Sequence, residues 1–157
     1  MKRRDWIALF AVLTICVLWF IFSHSLKSIT ESAQQSMGLL EILKQILDPY
    51  GHFQTEIIHK LLRKAAHVVE FSALGVCVGG FTINLGWLQQ RRYISLPMLI
   101  TLAAAVCDEW IQYFTGRGSL VTDVMLDYSG ALIGLLLSTG IAWWRCRCVH
   151  RKQERSL

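Results

Sequence analysis

The sequence predicts an all-α polytopic membrane protein, with four transmembrane helices and short helices in its first outer segment. Three observations predict it. Of 157 residues, 54% are hydrophobic and only 17% are charged, whereas a soluble domain carries about a quarter charged residues. Four apolar stretches, Trp6–Phe22, Ala65–Leu85, Ile94–Phe114 and Val124–Trp144, meet the ~20-residue requirement for crossing a bilayer, the first only marginally. Basic residues flank these stretches instead of forming a face of their own.

The first stretch follows the basic start Lys2, Arg3 and Arg4. Its apolar core is long for a signal peptide, and Ser23–His24–Ser25 is a poor cleavage site, so an uncleaved helix is expected. The outer segment 24–64 begins with a Ser-, Thr- and Gln-rich run. Leu39, Leu40, Leu43, Ile46 and Leu47 then recur at helical spacing, and Asp48–Pro49–Tyr50–Gly51 ends that run with turn chemistry. Ile57, Ile58, Leu61 and Leu62 form a second stripe leading to Ala65. Both read as short helices on the membrane surface or capping the bundle.

The remaining spans are joined by the basic loop at Arg91–Arg92 and by Thr115–Gly116–Arg117–Gly118–Ser119. In the latter loop, Thr122 reads as a helix N-cap with Asp123 in the first turn. Ten of the 16 Lys/Arg residues fall in the N-terminus, the 86–93 loop and the tail. That bias places both termini in the cytoplasm. Trp6, Trp87, Tyr93, Trp143 and Trp144 mark that interface, and Trp19, Trp110, Tyr113 and Tyr128 lie towards the other. No internal repeat divides the chain, so residues 1–157 read as a single membrane domain.

The net charge of +5 is carried by these flanks, with no basic face of interleaved aromatics, so nucleic acid is excluded as a partner. None of the five cysteines lies in an outer loop, so no disulfide framework is expected. Cys146 and Cys148 read as reduced boundary residues. The expected partner is the bilayer, and the sequence is compatible with a homo-oligomer.

Polar residues meet at one depth. His67 and Glu70 open the second span, Asp108, Glu109 and Gln112 close the third, and Asp123 and Asp127 open the fourth. At 1.5 Å per helical residue, those inside the spans lie within about 9 Å of the outer boundary. Ionised groups in hydrocarbon are costly, and they usually face the bundle interior and serve a function. His67 and Glu70 are spaced i, i+3, and Gln112 is i+4 from Asp108. Small-residue stripes at Gly75 and Gly79, and at Gly130, Gly134 and Ser138, allow close helix contact. Five acids face Lys64 and Arg117, an excess of three negative charges if all ionise. Close carboxylates need protons or a bound cation to coexist.

The candidate catalytic residues are therefore His67, Glu70, Asp108, Glu109 and Gln112. Lys64, Arg117, Ser119, Asp123 and Asp127 are candidates for holding a phosphate or carboxylate. A divalent cation, as an optional cofactor, would take His67, Glu70, Asp108 and Glu109 as ligands. Ser23, Ser25 and Ser28 read as a solvated turn, and His24 and His52 carry no usable pattern.

The pattern Lys64-x-x-His67-x-x-Glu70-Phe71, then Asp108-Glu109-x-x-Gln112-x-Phe114, then Gly116-Arg117-x-Ser119-x-x-Asp123-Val124 and Asp127-x-x-Gly130 resembles the VanZ-like family. The serine-rich stretch Phe22–Ser28 is also similar to that family. The resemblance covers most of the chain. It implies an integral protein of the bacterial cell membrane, in a family named for a teicoplanin-resistance association, with no established activity.

Three functions fit these readings. One is an enzyme at the outer leaflet acting on a lipid-linked cell-wall or envelope substrate, with Glu70 or Glu109 as general base. Another is a non-enzymatic binding protein, or one whose buried ion network only fixes helix register. The third is an ion-coupled transporter, which is weakened because the charges stop in the outer leaflet.

Overall fold

The computed structural model describes residues 2–26, 55–116 and 120–154. These form four helices: α1 (Arg3–Ser25), α2 (Thr55–Gln89), α3 (Ser95–Phe114) and α4 (Val121–Glu154). No strand occurs among the described residues. The stripe at 39–47, with Arg117 and Ser119, lies outside them.

Among the described residues, three helices are long and apolar enough to cross a membrane: α1, the Lys60–Gln89 part of α2 and the Val121–Cys148 part of α4. The 20-residue α3 is not among them. Asp108, Glu109 and Gln112 occupy its last two turns and lower its apolar character.

The structure differs from the sequence reading at the start of α2. Residues 55–64 are not a separate surface helix but the first turns of one 35-residue helix. No glycine or proline lies between Thr55 and Leu74, so nothing interrupts the hydrogen-bond ladder there. The helix ends where Gln90 adopts a left-handed φ of 54°. Arg91 N–H then donates to Gly86 O at 2.9 Å, the long bond of a Schellman ending.

The bundle is built around the α2–α4 pair, the most extensive contact among the described residues. Its two glycine stripes face each other. A Cβ on Gly75 would lie 2.1 Å from Ala131 O, and one on Gly134 would lie 2.0 Å from Ser72 O. Backbones this close permit a hydrogen bond between helices: Ser72 Oγ donates to Gly130 O at 2.9 Å. Phe71, Leu74, Val78 and Ala131 of this pair form the core with Ile21 of α1 and Ala104 and Ala105 of α3.

Large apolar side chains cover the outside. Trp19, Leu99 and Leu136 are 74%, 62% and 71% exposed. In water such a surface would be an association hazard; in lipid it is the solvated face.

Helix α1 is tied at both ends. Near its start, the Arg3 guanidinium stacks 4.4 Å from the Trp87 ring centroid. At its far end, Thr115 Oγ1 donates to Ser25 O at 3.4 Å. Thr115 closes α3, and Gly116 follows with φ 74°, a backbone state glycine adopts without strain. The C-terminal ends of α1 and α3 are thereby held beside the polar layer.

Candidate functional site

The polar residues sit where α2, α3 and α4 converge. His67 on α2, Asp108 on α3 and Asp127 on α4 are all buried, with Asp108 fully so. His67 Nδ1 lies 3.7 Å from Asp108 Oδ2 and 3.7 Å from Asp127 Oδ1. One ligand atom from each of the three residues falls within 4.8 Å of the other two. Gln112 reaches back one turn along α3, and its Nε2 donates to Asp108 Oδ2 at 2.8 Å.

Two carboxylate oxygens in this cluster, Asp108 Oδ1 and Asp127 Oδ2, are buried without a hydrogen-bond partner among the described residues. Buried polar atoms are normally paired, so each such exception needs a physical reason. Two carboxylates sharing a water-poor site also demand compensating charge.

A small pocket opens over this cluster, lined by Arg63, Lys64, His67, Gln112, Asp123 and Asp127, with Leu126 as its apolar wall. Its interior of about 10 Å³ is the size of a single water or ion. At its rim Lys64 Nζ pairs with Asp123 Oδ1 at 2.7 Å. Arg63 stands one residue before Lys64 on the same helix. The more exposed end of the lining thus carries Arg63 and the Lys64–Asp123 pair, and the buried end carries His67 and Asp127.

Two of the other expected residues are engaged elsewhere. Glu70 Oε1 faces His24 Nδ1 of α1 at 3.4 Å. Glu109 Oε1 accepts Leu120 N–H at 2.7 Å and so fixes the chain entering α4. Neither supplies an atom to the three-residue cluster. Of the four residues expected around a cation, His67 and Asp108 therefore meet, and their third neighbour is Asp127.

His24 is the residue that sequence reasoning passed over. Its signal was depth: it lies one residue before the end of α1, level with the polar ends of the other helices.

The family model described as VanZ/LLP1 matches residues 10–143. The chain belongs to the VanZ/LLP1 family. No curated protein and no solved structure matches it. The match in this VanZ/LLP1 protein includes every residue of the cluster and its pocket, and stops short of both basic ends.

Proposed function

We propose that this VanZ/LLP1 protein crosses the cell membrane four times, with both termini in the cytoplasm. Its pocket opens to the outer leaflet and handles the anionic headgroup of a lipid-linked envelope substrate. The observation that supports this reading is charge layering: Arg63 and Lys64 stand at the mouth, over His67, Asp108 and Asp127 at the floor. A phosphate meets the bases first, while polar groups below it are in reach of the atoms that follow. The interior is too small for a headgroup, so the substrate sits at the mouth with its lipid tail along the exposed apolar flank. In this reading Arg117 and Ser119 add to the anion site, and Glu70 or Glu109, which stand outside the pocket lining, would serve as general base only on moving towards it.

The test is purified protein in nanodiscs with a polyprenyl phosphate. Saturable binding is expected for the phosphate and not for the uncharged polyprenol, and Lys64→Met should weaken it by about tenfold. Equal binding of both lipids would sink the proposal. Turnover to a new product would make the protein an enzyme, and unchanged turnover in Glu70→Gln and Glu109→Gln would remove those residues from the chemistry. The proposal extends to glycopeptide resistance: expression in a susceptible host should alter teicoplanin tolerance, and the Lys64→Met variant should not.

The Lys64–Asp123 and Gln112–Asp108 pairs favour a second reading, a network that fixes helix register without binding anything. It predicts stability losses in these variants with no lipid bound by the parent protein.

A further inference from the structure

We propose that His67, Asp108 and Asp127 bind one divalent transition-metal ion of the zinc class. The inference concerns the same pocket as the lipid reading but does not depend on which substrate occupies its mouth.

Four observations lead to it. First, the donor set is one imidazole and two carboxylates from three different helices, which suits borderline divalent metals. Second, the distances are close to those a metal would impose. With bonds of about 2.1 Å, tetrahedral ligands stand about 3.4 Å apart; His67 Nδ1 is 3.7 Å from an oxygen of each aspartate. The two aspartate oxygens lie within 4.8 Å of each other, so ligation needs the His67 edges to close by about 0.3 Å and the Asp108–Asp127 edge by up to about 1.4 Å.

Third, Asp108 Oδ1 and Asp127 Oδ2 are buried without a hydrogen-bond partner among the described residues. Both residues are at least nine-tenths buried. The other oxygen of each faces His67, and a cation supplies the charge that two buried carboxylates, each with one oxygen unpaired, require. Fourth, Gln112 Nε2 holds the Asp108 carboxylate at 2.8 Å. An outer donor that orients a ligating carboxylate is the usual support of a metal site.

Three protein ligands leave a fourth position open. His67 and Asp127 line the pocket, with Asp108 fully buried. The open position therefore faces the single-water space beneath Lys64 and Arg63. An oxygen atom from water or from an anionic headgroup is the ligand that fits there.

The probe is Co²⁺, a coloured stand-in for Zn²⁺, titrated into chelator-stripped full-length protein in nanodiscs. Cys146 and Cys148 could hold the same ion, so a Cys146→Ser, Cys148→Ser background is used. One equivalent of Co²⁺ is expected, with the visible absorption of a four-coordinate ion, displaced by Zn²⁺. Asp108→Asn and Asp127→Asn should each raise the Kd by at least about 100-fold. Gln112→Leu should raise it about 10- to 100-fold, as loss of an outer-shell partner does. Gly140→Ala, on the same helix as Asp127 but with open space around it, should leave it unchanged.

No stoichiometric binding by the folded parent overturns the proposal, and so does equal affinity in both aspartate variants. A melting transition recorded for each variant separates misfolding from ligand loss. Polyprenyl-phosphate binding is measured separately, with and without the metal. Metal binding without lipid binding sinks the lipid reading alone. Lipid binding without metal binding sinks this one alone.

Discussion

Within the polar layer, side chains differ in what their removal costs. Lys64 and Asp123 form an ion pair with side chains 45% and 22% exposed. Solvent screening limits such pairs to about 0–1 kcal/mol. Gln112 is buried and donates to a fully buried aspartate. Its loss leaves a buried carboxylate oxygen without its donor, at about 1–3 kcal/mol. Thermal melts in one detergent should therefore separate Gln112→Leu, clearly destabilised, from Lys64→Met, nearly neutral; equal shifts would contradict this ranking. The sequence placed all these residues at one depth because depth depends only on position along a helix. It could not place them around the axis. Asp108 and Glu109 are adjacent, so they point about 100° apart. One enters the cluster and the other bonds Leu120. The rotation that decides this is set by packing between helices, which no local pattern contains.

At the level of elements, the glycine stripes were legible from their four-residue spacing, but not that α2 and α4 pair through them. Gly134→Val should split this pair. Its Cβ would meet Ser72 O at 2.0 Å, a backbone atom that cannot swing aside. Overpacking of this kind costs about 1–3 kcal/mol or more. Gly140 sits on the same helix with open space around it. There alanine should be neutral or gain up to ~1 kcal/mol from helix propensity. Denaturation of both variants checks the contrast, and similar melting would mean that α2 and α4 do not approach this closely. The unbroken start of α2 was less legible. A stripe of isoleucines and leucines beside a span looks the same whether the helix bends onto the membrane or runs straight into it.

For the whole molecule, apolar spans and basic flanks carried the all-helical membrane architecture into the sequence, since both are compositional. The proposed orientation can be tested with the native cysteines. Cys146 and Cys148 should react with a membrane-impermeant maleimide in inside-out vesicles and not in intact spheroplasts. Cys16, Cys77 and Cys107, within the apolar helices, should stay unlabelled in both. The reverse pattern would invert the topology. One feature of the fold also sets how such a molecule can be influenced from outside. Helix α2 is a rod of 35 residues, about 52 Å long, nearly twice the hydrocarbon thickness. Its first turns and His67 lie on one length without glycine or proline. In the proposed topology about 20 Å of this rod stands beyond the hydrocarbon, so a headgroup or a soluble protein that meets the turns near Thr55 touches the same continuous helix that carries His67.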